Sequence, residues 1–432
     1  MTGNTRERSF SDVSAGSDLT DNEYERLIED TNPLLQSRND SSSSRMKCYC
    51  IVIMIIIILV VVLFRLLSSY SGFSPTIVSV GIITRHGDRA PLTDFGLKKS
   101  NTDFICTLEE YFYETAEFLP QYNRRFRRIM KHGDEWLPGN CYPGQLTEKG
   151  AAQHRSLGNH LRMLYGDIIN KGRWHVRSSD VPRTRDSAAN LMKGLLPPQH
   201  YPRLRINVEQ IEPPRDPIHA NGNMCPRLQV EWDAALASET YVKEDEKYAD
   251  VRNSIETFFE KSFEDKWEHV HDWFVCSQSF GHTLPTFVNK EMLDVVDHMA
   301  AFRNFYINES PKARSLTAAS VMRDFLDHLN KVVVGGDDLT FVFFSGHDST
   351  LIPLQLFLGV DEYQWPNYAS HFRFELSKFN DEHYVRFLFN EKIYIPDFCD
   401  IKPDNWCTFD SLSSYVYSHA PRDYYEACHE SA

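Results

Sequence analysis

The sequence has no excess of positive charge. Lys and Arg total 46 against 60 Asp and Glu, a formal net charge of -14. That balance argues against nucleic acid as the main partner. Cysteine is sparse as well. Nine in 432 residues are too few for a small disulfide scaffold. There is no usable internal repeat and no low-complexity tract beyond Ser41–Ser44. What is present is 42% apolar and 13% aromatic content, enough for one large core or two smaller ones.

The ends of the chain differ in kind. Residues 1–47 are polar and nearly free of aromatics, so they are expected to be disordered. Cys48, Tyr49 and Cys50 then lead into a charge-free run, Ile51–Phe64. Counting from Cys48 to Leu67 gives 20 residues, the length of a bilayer span, with Arg65 snorkelling to the far interface. A single transmembrane helix over 48–70 is expected. A cleaved signal peptide is the rival reading, but its leader would be unusually long. Arg38, Arg45 and Lys47 precede the run and favour a cytosolic N-terminus, hence a type II membrane protein with residues 71–432 in the lumen.

Two patterns in the tail resemble acidic dileucine signals read by clathrin adaptors. One holds Glu23, Leu27 and Ile28; the other holds Asp30, Leu34 and Leu35. They imply an endosomal or lysosomal membrane; the bland alternative is a solvated acidic tail. An oxidising lumen suits the seven later cysteines, Cys106, Cys141, Cys225, Cys276, Cys399, Cys407 and Cys428. Seven is odd, so at least one is free or intermolecular. Asn308 heads the one lumenal glycosylation triplet.

The chemistry begins at residue 76. An apolar, β-branched run from Thr76 to Thr84 feeds into Arg85-His86-Gly87-Asp88-Arg89, a buried strand ending in a sharp loop. Leu92–Gly144 follows as an insertion with a basic cluster, Arg124, Arg125, Arg127 and Arg128. Thr147 predicts an N-cap with Glu148 first in its helix. A short strand over Trp174–Arg177 precedes an arginine-bearing loop with Arg183, and the next helix is expected near Arg185. Residues 213–332 read as a helical cap, with helical stretches at Leu228–Lys266 and Asn289–Leu329. Leu339–Phe344 is a buried strand ending at His347 and Asp348. Phe372–Leu376 and His383–Asn390 alternate as a strand pair turning near Asn380. Strand–loop–helix units of this kind build α/β sheets that bind ligands at the strands' carboxyl ends.

Taken as one site, these loops offer His86, His347, Asp348, Arg85, Arg89 and Arg183. A phosphate ester is bound well by several arginines. A histidine among them stays neutral and nucleophilic. An aspartate can protonate the leaving alkoxide. The arginines neutralise charge, so no metal or cofactor is called for. The alternatives are metal ligation by His86 and His347, a core role for His347 and a helix cap for Asp348.

Four segments carry a resemblance. Arg85–Pro91, Gly144-Gln145-Leu146-Thr147 with Gly150, Arg177–Thr184 and Ser345–Asp348 resemble the histidine acid phosphatases, in that family's order. The resemblance implies an α/β histidine-phosphatase-like sheet domain flanked by helices with an inserted helical cap. It also implies phosphomonoester hydrolysis at acidic pH. His86 would accept the phosphate and Asp348 donate the proton, while Arg85, Arg89, Arg183 and His347 bind it. Cys225 with Cys428 and Cys399 with Cys407 resemble the family's pairs. Cys276 would be unpaired, because His371 stands where its partner should be. Cys106 with Cys141 is similar to a pair in the branch holding the Golgi 2-phosphoxylose phosphatase of glycosaminoglycan-linker synthesis. That keeps a Golgi sugar-phosphate phosphatase as the alternative function. A second copy of the chain, as a homodimer, is kept as a candidate partner.

Overall fold

The computed structural model describes residues 53–61, 72–93, 103–106, 137–197, 205–264, 266–360 and 363–430. The dileucine-like patterns and the basic cluster at Arg124–Arg128 lie outside them. So does most of the expected membrane span. Its described part, residues 53–61, is helical with exposed side chains. Among the described residues no helix is long and apolar enough to cross a membrane. Residues 73–432 form a separate compact unit.

That unit is built on an eight-stranded mixed sheet. Its strands are β1 (Thr76–Arg85), β2 (Arg173–Ser178), β3 (Leu339–Gly346), β4 (His371–Phe379), β5 (Glu382–Phe389), β6 (Lys392–Tyr394), β7 (Ile401–Lys402) and β8 (Trp406–Thr408). The spatial order is β2-β3-β1-β4-β5-β8-β7, with β6 on β5. β2, β3 and β1 run parallel. From β4 onward the pairings are antiparallel. Asn380, in the left-handed region at φ 54°, makes the tight turn between β4 and β5, a conformation asparagine tolerates well.

The central strands are apolar on both faces because helices cover both. The period-2 alternation decides which residue meets which layer. Ile82, Phe341 and Phe343 face α1 (Glu148–Ile169) and α2 (Pro182–Leu195) through Leu161, Ile169 and Leu191. Ile83, Val342 and Phe344 face the other way. They pack on α8 (Ser320–Val333), α9 (Asp348–Leu358) and α10 (Phe409–His419) through Phe325, Leu354 and Leu412. Each such fully buried side chain contributes roughly 1.5–3 kcal/mol.

Between these layers the chain inserts α3 (Pro226–Leu236), α4 (Glu239–Glu246), α5 (Ala249–Phe259), α6 (Trp267–Ser279) and α7 (Lys290–Tyr306). A second core joins α5, α6 and α7 through Ile255, Trp267, Trp273, Phe274 and Met299, with Phe104 and the Cys106–Cys141 bridge. Two details differ from the sequence reading. α8, expected within the cap, packs on the sheet. α2 starts at Pro182, not near Arg185, because proline fits the first helical position. Arg183 therefore sits in a helical first turn.

Three disulfides join Cys106–Cys141, Cys225–Cys428 and Cys399–Cys407, and Cys276 is a buried free thiol. Asn308, the expected glycosylation position, is 4% exposed, and its Nδ2 donates to the Asn304 carbonyl at 2.8 Å.

Candidate active site

The parallel strands put three loop starts in one layer. Arg85 pairs with Gly346 across β1–β3, and Ser178 pairs with Ser345 across β2–β3. Residues far apart in sequence thus leave the sheet side by side, at the carboxyl ends where α/β ligands sit. The loop after β1 is pressed against the start of α1. A Cβ on Gly87 would lie 2.4 Å from the Gly150 carbonyl, and one on Gly150 would lie 2.2 Å from the Asp88 carbonyl. Only glycine at both positions permits that contact. Thr147 caps α1 by accepting from the Gly150 N–H, and its hydroxyl donates to the Asp88 carboxylate at 2.6 Å.

His86 is 1% exposed. Its Nδ1 lies 2.8 Å from the Gly87 carbonyl, so Nδ1 is the protonated nitrogen and donates. Nε2 then holds a lone pair, and it is buried with no hydrogen-bond partner. Burial lowers the His86 pKa well below its ordinary value, and Arg183, Arg85 and Arg89 lower it further. Burial and the surrounding guanidiniums therefore favour the neutral imidazole.

His347, the N-cap of α9, lies with its ring 5.6 Å from that of His86. Arg183 Nη2 donates to its Nδ1 at 3.2 Å, and its Nε2–H donates to Ser179 Oγ at 2.8 Å. Burial, His219 and the arginines keep it neutral too. Asp348 opens α9, where the helix dipole favours a carboxylate. It pairs with Arg85 at 2.7 Å. Burial pushes its pKa up, but Arg85, Arg89 and Arg183 outweigh burial and hold it below the usual range. Burial and Arg89 lower Arg183 to about 10, so it still carries its charge. The Nε groups of Arg85, Arg89 and Arg183 are buried without partners. All six residues singled out from the sequence meet here.

Other residues join them that the sequence reading missed. Asp272 of α6 pairs with Arg89 at 2.7 Å and accepts from the Leu92 N–H at 2.8 Å. Asp272 outweighs burial and raises the Arg89 pKa. Cys276, one turn along α6, lies 3.6 Å from Asp272 and 3.5 Å from the Tyr368 hydroxyl. The Tyr368 ring lies 4.3 Å from the Arg85 guanidinium carbon. His219 stacks on His347 at 4.2 Å. The signal available for Asp272 and Cys276 was an acid and a thiol four apart on a helix of mixed polar and apolar residues.

The arrangement suits a dianion. Three guanidiniums face two carboxylates, so the protein's own groups leave surplus positive charge around an imidazole nitrogen with no partner. Among the described residues no cluster of three or more His, Cys, Asp or Glu is placed to hold a metal ion.

Comparison with known proteins agrees with this chemistry. The profile of the histidine phosphatase superfamily (branch 2) matches residues 76–390. Counting factor 60 of Dictyostelium discoideum is 30% identical over 384 residues, covering 82% of this chain and 89% of that protein. Bovine (Bos taurus) prostatic acid phosphatase is 26% identical over 299 residues, covering 62% and 77%. Among solved structures, a phytase from Citrobacter braakii shares the fold with a TM-score of 0.56 at 14% identity, covering 82% of this chain and all of that one. With that family match over most of its length, the chain belongs to branch 2 of the histidine phosphatase superfamily, as a phosphoric monoester hydrolase of the histidine acid phosphatase type.

Proposed function

We propose that His86 Nε2 is the phosphoryl acceptor and Asp348 the proton donor, and that Arg85, Arg89, Arg183 and His347 bind the phosphate. The observation that carries this is the unpartnered, neutral Nε2 of His86 inside a cationic pocket. Its lone pair attacks phosphorus as the ester P–O bond breaks. The leaving alkoxide takes the proton of Asp348. Water then attacks the phosphohistidine, its proton passes to the Asp348 carboxylate, and the P–N bond breaks to return neutral His86. Before substrate binds, the three arginines favour the ionised form of Asp348. A bound dianion draws Arg85 and its companions to itself, and its negative charge raises the Asp348 pKa. The donor is therefore loaded by the substrate, and the reaction favours acid.

The proposal extends to the cell. The uncharged run at 51–64 anchors residues 71–432 in the lumen, and the tail patterns at Glu23–Ile28 and Asp30–Leu35 direct the chain to endosomes and lysosomes. The Cys106–Cys141 bridge favours a second reading, a Golgi phosphatase acting on a phosphorylated sugar such as 2-phosphoxylose. Hydrolysis of p-nitrophenyl phosphate at pH 5 by the full chain, and its loss in His86→Ala, tests the chemistry. Staining of cells expressing the tail with Leu27, Ile28, Leu34 and Leu35 changed to alanine tests the destination. Unchanged lysosomal staining contradicts the sorting claim, and Golgi staining of the unaltered chain favours the second reading.

A further inference from the structure

Beside the phosphate site lies a cleft of about 550 Å³ that the proposed chemistry does not use. It begins at Arg85, whose guanidinium holds Asp348. Tyr368 lines it and also lies 5.8 Å from the His86 ring. The cleft thus leaves the reacting centre on the side of Asp348, where the alcohol departs. Its lining includes the aromatic side chains of Tyr368, Trp365 and Phe302. Asp297 also lines it, with a 63% exposed side chain 3.5 Å from His271 Nε2.

The charge inventory is lopsided. Among the described residues lining the cleft, Arg85 is the only Lys or Arg. Its positive charge is already opposed by Asp348 at 2.7 Å, and its Nη1 donates to the Pro366 carbonyl at 2.6 Å. Burial and Arg85 lower His271 to about 4, so it adds no cation at moderately acid pH. His298 leans on Glu244 at 3.3 Å. A second phosphate or carboxylate on the leaving group would meet aromatic faces and Asp297, with no free cation to receive it. An ammonium would meet ring faces and a carboxylate, both attractive to it.

We infer that this cleft receives the alcohol half of a phosphomonoester that carries an ammonium group and no second anion, and that Asp297 sets that preference. The inference rests on the proposed phosphatase site. Asp297 is a specificity residue, remote from the reacting atoms.

The test uses the full chain and three esters with one phenyl phosphate core: tyramine O-phosphate, phenyl phosphate and 4-hydroxyphenylacetate O-phosphate. At pH 6, kcat/KM falls in that order, with about a 10-fold span from ammonium to carboxylate. Asp297→Asn shrinks the span to about 2-fold, and Asp297→Lys reverses the order, as expected when one charge is removed or inverted. If Asp297 served only to hold His271, all three esters would change together. Equal kcat/KM for the three esters, or a span unchanged in Asp297→Asn, overturns the inference while the phosphatase reading stands. No hydrolysis even of phenyl phosphate overturns that reading, and the inference with it.

Discussion

Two charge clusters share this sheet, and they behave differently. At the ends of β1 and β3, three guanidiniums face Asp272 and Asp348. The unpartnered buried nitrogens there include His86 Nε2. On β4, β5 and the turn after β5, Arg373 and Arg386 face Glu375 and Glu391, two against two. Arg386 pairs with Glu375 at 2.5 Å, Arg373 with Glu391 at 2.7 Å, and His371 and His160 approach Glu391 at 3.2 and 3.3 Å. A cluster of paired charges therefore does not by itself mark chemistry. The first cluster is unbalanced and waits for an anion; the second is balanced and ties strand to strand and to α1.

The largest effect should come from His86→Ala. Turnover of every phosphomonoester should fall by at least about 10⁴-fold, with far-ultraviolet circular dichroism unchanged. Residual activity above a hundredth would place the acceptor elsewhere. Next, Asp348→Asn should cost about 10²–10⁴-fold for alkyl phosphates and markedly less for p-nitrophenyl phosphate. A good leaving group needs little help from an acid. Equal losses for both esters would mean Asp348 only orders Arg85.

A third change probes how the cap holds the phosphate site. Asp272→Asn removes the partner of Arg89 and should raise KM about 10-fold while kcat stays within a few-fold, which steady-state kinetics separates. A fall in kcat alone would contradict the assignment. The smallest effect belongs to the balanced cluster. His371, with Arg373 and His160, outweighs burial and holds Glu391 at about 2, below its unfolded value of about 4.3. The sign follows from that depression. Its stabilisation is present above the unfolded value and is lost as pH falls through about 2. Glu391→Gln should therefore lower Tm by about 2–4 °C at pH 5 and by much less near pH 2, with catalysis unchanged. An equal shift at both pH values would show a packing effect instead.

The same contrast explains what was legible in the sequence. His86, His347 and Asp348 follow directly on buried β-branched or aromatic runs, and Arg183 follows another strand closely, in the first turn of α2, so one local rule exposes all of them. Asp272 and Cys276 lie on α6, which buries His271, Asp272, Cys276 and Ser277 beside Trp267, Val270, Trp273 and Phe274. With polar and apolar side chains on the same buried face, a hydrophobic pattern could not single out either residue. Tyr368 and Trp365 come from an irregular segment between α9 and β4 whose approach to Arg85 is purely tertiary. α8 carried a clear helical period, but periodicity cannot tell which layer a helix covers. Packing against Phe344 and Phe374 assigns it to the sheet.

The central claim is that phosphorus passes through His86 Nε2. The direct measurement is rapid quenching of the full chain with ³²P-labelled phosphomonoester, followed by peptide mapping, in the wild type and in Asp348→Asn. The account predicts an acid-labile, alkali-stable label on the peptide holding His86, accumulating further in a variant slowed in hydrolysing the intermediate and absent from His86→Ala. A label on any other residue, or full turnover with no labelled protein at any time, would contradict it.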